Sequence, residues 1–263
     1  MRRNNTEYMA TYKKRGYKPK TKVDKQSKIE QESTTAEVFN TLDEGASKTE
    51  EWVVKNQKNI FIAVGLIAAI VLGGLGYKKF IQDPKESSAM NDMFKAQQYF
   101  EQALTGTEKD SLYNLALHGG EGKYGMLDIV NEYGGTNAAN LANYYAGMAF
   151  LHTQNYENAI KHLSDFSSDD EALGPLAQGG IGDAFVQLNQ PEDGLDYYEK
   201  AFGMKTNNFT TPLFLYKAGT IALQLGENDK ALKYFSRIKD EFGDSKEATN
   251  IDIFIGRAEA ASN

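Results

Sequence analysis

The chain has no cysteine, so neither disulfides nor thiolate metal sites can hold it together. Charge is missing from one long stretch. Ile60 to Tyr77, eighteen residues without Asp, Glu, Lys or Arg, is bounded by Lys58 and Asn59 before and by Lys78 and Lys79 after. At ~1.5 Å rise per residue such a helix is ~27 Å long, enough for a bilayer core of ~30 Å once the lysines snorkel. In an otherwise polar chain this run predicts a single transmembrane helix over 60–77 rather than a buried core helix. A cleaved signal peptide fits less well, because fifty-nine residues precede the run and it exceeds a normal signal core. Gly65, Gly73 and Gly76 give the span small-residue faces on which another transmembrane helix can pack.

Catalytic motifs are missing too. His118, His152 and His162 lack metal-ligand spacing, and no nucleophile motif stands beside a histidine and an acid. Gly119-Gly120-Glu121-Gly122-Lys123-Tyr124 has a phosphate-loop flavour, but the Ser or Thr after the lysine and the preceding strand are absent, so a turn is expected. Asp169-Asp170-Glu171 lacks the alternating oxygen ligands of a calcium loop and reads as a turn with helix-start acids. The expectation is a non-enzyme with no cofactor and no metal.

Apolar residues are scarce from Met1 to Glu32, and the segment 1–33 is expected to be a disordered basic tail. Its cluster Lys13 to Lys20 could touch anionic lipid or ribosomal RNA, or serve only as a solvated topology signal. Before the span stand 13 Lys+Arg and 9 Asp+Glu; after it, 16 and 27. A short basic tail retained in the cytoplasm and a large acidic domain translocated is the topology this asymmetry predicts.

Thr34-Thr35-Ala36-Glu37 reads as a capping box that opens an amphipathic helix over 34–58, with Phe39, Leu42 and Ala46 on its apolar stripe and Trp52 as an interfacial anchor. Its polar face is acidic, which an anionic leaflet repels, so docking onto a protein is expected. Past the span, Asp83-Pro84-Lys85-Glu86 predicts a helix start with Asp83 as N-cap, and Ala89, Met93, Phe94, Gln97, Phe100 and Leu104 trace its stripe. The intervening linker is very short.

From Asn140 the chain repeats itself. Gly147, Gly182 and Gly219 recur at intervals of 35 and 37, and Ala159, Gly194 and Ala231 follow twelve residues after each. Gly125, 34 residues before Ala159, suggests a weaker preceding unit. This is the tetratricopeptide period, two antiparallel helices with small residues where they cross and large ones, Leu163, Tyr198 and Phe235, around them. Turn signals fall at Thr153 to Asn155, Asn189 to Pro191 and Gly226 to Asp229. A last helix, Lys246 to Ala260, caps the array. The expected fold is all-α, a single transmembrane helix followed by a tetratricopeptide-repeat α-solenoid over 84–263.

Such a solenoid offers a concave groove lined by the first helix of each pair. The register places Tyr144, Met148 and His152, then Asp183 and Gln187, then Tyr216, Thr220 and Gln224 in it. No cation stands among them, which disfavours a C-terminal carboxylate and suits an apolar segment of another protein.

An N-terminal anchor, a short cytoplasmic tail and an outer tetratricopeptide domain together resemble the YfgM-like ancillary subunits of the bacterial SecYEG translocon. Tyr133-Gly-Gly-Thr136, Leu141-Ala-Asn-Tyr-Tyr-Ala-Gly147, Ile181-Gly-Asp-Ala184 and Phe209-Thr-Thr-Pro212 look like the form found in Bacteroidota. The resemblance implies an inner-membrane protein with a periplasmic domain, partnered by SecYEG and by a PpiD-like membrane-anchored peptidyl-prolyl isomerase and chaperone. The long tail and the Gly119 to Gly122 insertion depart from the enterobacterial pattern. An envelope-assembly binding module unrelated to translocation remains the alternative, using the same groove.

Overall fold

The computed structural model describes the backbone from Lys22 to Ser262 and the side chains of Val38 and of Thr49 to Ser262. Among these residues the regular structure is helical, with one isolated bridge between Gly120 and Lys123. The chain divides into two units, 1–74 and 75–263.

The first unit is built on α1 (Lys22–Tyr77), 56 residues without a proline. Its start corrects the expected boundary, because Lys22 to Ser33 is helical and the Thr34 capping box lies inside the helix. The reason is local: Lys, Gln and Glu are good helix formers, and Asp24 stands four residues before Lys28. The rest of the expected disordered tail, Met1 to Thr21, lies outside the described residues, as do the side chains of Phe39, Leu42 and Ala46. Trp52 is exposed. By length and composition α1 carries a segment able to cross a membrane, and none of that segment is buried. A Cβ added at Gly65, Gly73 or Gly76 would meet nothing within 4 Å.

In the second unit the helix does not stop at the expected linker. Lys78–Gln82 is π-helical and runs directly into α2 (Asp83–Thr105). Asp83 is therefore no N-cap. It has helical φ and ψ, and its N–H donates five residues back to Lys78 O. Pro84 accounts for the wide turn, since it has no N–H to return to the preceding carbonyls and its ring crowds the carbonyl of Phe80. Glu86 reaches another helix instead: its carboxylate accepts from Asn137 N at 2.7 Å and Ala138 N at 2.8 Å, at the positive N-terminus of α5 (Asn137–His152). The buried face of α2 is Ala89, Met93, Ala96, Tyr99, Phe100 and Ala103, whereas Phe94 and Leu104, expected on that stripe, are exposed. The neighbouring helix in the chain is α3 (Lys109–His118). Gly119 to Gly122 is a turn, with Gly119, Glu121 and Gly122 at positive φ, and leads into α4 (Met126–Glu132). Gly125 caps α4 and is packed against the backbone of Leu117 and Gly119, so it is no helix-crossing residue of an earlier repeat.

Three helix pairs follow: α5 with α6 (Tyr156–Asp165), α7 (Leu173–Gln187) with α8 (Pro191–Met204), and α9 (Thr210–Leu225) with α10 (Asn228–Glu241). The small residues sit at the crossings as the period predicts. A Cβ on Gly147 would lie 2.5 Å from Leu163, one on Gly182 2.7 Å from the Tyr198 ring, and one on Gly219 2.6 Å from the Phe235 ring. Ala159 and Ala231 are fully buried. Seven residues after each of these glycines the backbone turns left-handed, at Gln154, Asn189 and Gly226. Thr136, Asp170 and Asn207 satisfy the first N–H groups of α5, α7 and α9, which fixes where each pair begins. One core lies around Met93, Leu117, Met126 and Ile129, another around Phe214, Phe235 and Ile238, and Tyr144, Leu163, Phe166, Ala177 and Ile181 pack between them. The expected last helix is divided, a 3₁₀ turn at Lys246–Ala248 and then α11 (Ile251–Ser262), because Asn250 between them has φ 62°. Ile251 and Ala258 of α11 are buried against the end of the array.

Candidate protein-binding surface

The first helices of the pairs, α5, α7 and α9, present three equivalent rows. Three residues before the crossing glycine stand Tyr144, Gly179 and Tyr216; one after it, Met148, Asp183 and Thr220; five after it, His152, Gln187 and Gln224.

The first row is packing. Tyr144 is 9% exposed, with its ring 5.2 Å from Phe166, and burial pushes its hydroxyl pKa up to about 12, with Tyr145 adding to the shift. It is not an open anchor, because the α6–α7 connection folds Phe166 over it. At Gly179 the space is taken by Phe214, whose ring would lie 1.8 Å from an added Cβ. Tyr216 is half-buried, edge-on to Phe254 of α11 at 5.1 Å and to Phe235 at 6.1 Å.

The middle row is mixed. Met148 is half-buried, and its sulfur would lie 3.4 Å from a Cβ on Gly180. Asp183 accepts from Lys217 Nζ at 2.6 and 2.7 Å and from the Tyr198 hydroxyl at 2.6 Å. Burial, then Asp183, raises the pKa of Tyr198, so it stays a donor. No cation stands among the expected groove residues, but their one carboxylate, Asp183, is neutralised by Lys217 of α9. Lys217 was legible as a charge one repeat length, 34 residues, from Asp183. It stands two residues before Gly219, outside the three rows. Thr220 is exposed, and its hydroxyl donates to Tyr216 O.

The last row faces water. His152, Gln187 and Gln224 are all exposed, and the His152 ring stacks on Tyr113 at 4.8 Å. Partial desolvation of the ring, stacked on Tyr113, and then Lys109 lower the His152 pKa even though the residue as a whole is exposed. Clefts of about 530 Å³, beside Phe94, Lys95 and Tyr124, and about 310 Å³, beside Phe166, Gln178 and Met204, are lined by none of the residues in these rows. Among the described residues no cluster of His, Asp and Glu could hold a metal ion.

Stacked antiparallel pairs with small residues at each crossing define an α-helical repeat protein. More particularly, residues 180–246, from the middle of α7 to just past α10, match the family model of the tetratricopeptide repeat. That segment therefore carries a tetratricopeptide repeat, which is typically a module for contact with other proteins. No curated protein matches the sequence.

Proposed function

We propose that the protein is a single-pass inner-membrane scaffold, N-terminus in the cytoplasm and repeats in the periplasm, that associates with the SecYEG translocon. In this reading α1 docks at the channel through Phe39, Leu42, Ala46 and the glycine faces Gly65, Gly73 and Gly76. The repeats hold a PpiD-like chaperone near secreted chains. The observation that carries it is one chain with both a segment able to cross a membrane and repeats that present an exposed row, His152, Gln187 and Gln224, at one position in each unit. The basic-to-acidic change across the span supports the orientation, and the family resemblance supports the partners. Purification in mild detergent tests it. SecY and a membrane-anchored isomerase should accompany the protein; envelope-assembly proteins in their place would sink the translocon reading and favour a module unrelated to secretion.

A further inference from the structure

Phe80 and Ile81 are large apolar side chains that the repeat domain leaves uncovered, 80% and 55% exposed. They lie in the π-helical segment Lys78–Gln82, none of whose residues is buried, directly after the uncharged run ends at Tyr77. On the other side of the run Trp52, Val53 and Val54 are likewise exposed beyond Lys55 and Lys58.

Length and charge give this arrangement a reading. The uncharged run alone is ~27 Å long, slightly short of a ~30 Å hydrocarbon core, and one further turn ending at Ile81 adds ~6 Å. Lys78 and Lys79 do not forbid that depth, because their long stems let the ammonium groups reach the phosphates while the backbone sits lower. Aromatic and aliphatic side chains next to such lysines match the headgroup boundary, apolar on one side and wet on the other.

We propose that Lys78 to Ile81 forms a lipid-facing collar: Phe80 and Ile81 insert at the bilayer boundary while Lys78 and Lys79 bind anionic headgroup phosphates. The inference rests on the membrane-spanning reading of 60–77 and adds that the bilayer contact extends into the π-helical turn.

Tryptophan reporters test it in the full chain. Trp52, the single tryptophan, is replaced by Phe, and Phe80→Trp, Leu66→Trp and Phe94→Trp are made separately and reconstituted in phosphatidylcholine and phosphatidylglycerol vesicles containing brominated lipid. Phe80→Trp should emit at shorter wavelength than Phe94→Trp and be quenched most by shallowly brominated chains. Leu66→Trp should be quenched most by deeply brominated ones. An unquenched Phe80→Trp beside a quenched Leu66→Trp overturns the collar and leaves the span standing. An unquenched Leu66→Trp overturns the span and the collar with it. Equal quenching of Phe94→Trp and Phe80→Trp also overturns the collar, because the contact would then belong to a face of the domain.

Discussion

Left-handed backbone at Gln154, Asn189 and Gly226 closes the turn inside each helix pair, and only Gly226 adopts it without a Cβ penalty. A non-glycine side chain there costs ~1–2 kcal/mol, partly offset by the extra freedom glycine has when unfolded. Gln154→Gly should therefore stabilise the domain by ~0.5–1 kcal/mol, read as a melting temperature higher by roughly 1–3 °C. A lower melting temperature would mean that the Gln154 side chain holds the turn. His162 gives a pH-dependent counterpart. It is buried, donating from Nδ1 to Asn143 Oδ1 at 2.8 Å, with its ring 5.5 Å from Phe150. Burial, then Lys161, holds its pKa below the ordinary 6.5, against an opposing pull from Asp165. The unfolded chain then binds the proton more readily, so stability is full above that ordinary value, falls as pH drops toward the lower folded pKa, and levels below it. His162→Gln should flatten this fall, seen by comparing denaturant midpoints near pH ~7 and pH ~5. His152, lowered in the same direction, contributes to the slope that remains. An unchanged slope in the variant would place the His162 ring in contact with water. Single positions were the hardest thing to read from the sequence. What covers Tyr144 and neutralises Asp183 comes from elsewhere in the chain, Phe166 from the α6–α7 connection and Lys217 from α9.

Elements were more legible, because their signals are local. The glycine and alanine spacing locates the helix crossings, and the turn residues fall where the pairs close. What escaped were details set by single residues: the π-helical turn that runs into Pro84 in place of a linker, with Asp83 inside the helix and not its cap, and Asn250 dividing the last helix. Close approach of α7 to α9 also escaped, since Gly179 lies outside the repeating glycine register. That approach makes a sharp contrast between two glycines. Gly179→Ala puts a Cβ 1.8 Å from the Phe214 ring, and Phe214 is almost fully buried, so the ring has nowhere to retreat. The substitution should cost ~3 kcal/mol. Gly256→Ala in α11 meets nothing within 4 Å and should instead stabilise by ~0.5–1 kcal/mol through helix propensity. Thermal or denaturant unfolding of the two variants checks both signs. Equal effects from the two would mean that α7 and α9 do not approach as described.

At the scale of the whole molecule, the proposed scaffold holds two partners at separate places, and the structure changes which residues can test this. Replacing Tyr144 and Tyr216 would damage packing, so a lost partner would say nothing about contact. Gln187 and Gln224 are better probes: both are exposed, both stand five residues after a crossing glycine, and neither lies in a core cluster. Exposed substitutions of this kind usually change stability by no more than ~0.5 kcal/mol. A hydrogen bond to a partner contributes ~0.5–1.5 kcal/mol net, so losing two weakens binding roughly five- to hundredfold. Gln187→Ala with Gln224→Ala should therefore release the chaperone-like partner, leave the melting temperature nearly unchanged and keep the channel bound. Phe39→Asp with Leu42→Asp on α1 should do the reverse, since two carboxylates on the apolar stripe cannot be buried against a protein without a large desolvation cost. Co-purification of each variant, with its melting curve measured alongside, separates the outcomes. If both pairs of changes release the same proteins with folding intact, a single joint interface replaces the two-site arrangement. If the glutamine pair releases nothing, contact lies on the opposite face of the repeats, formed by α6, α8 and α10.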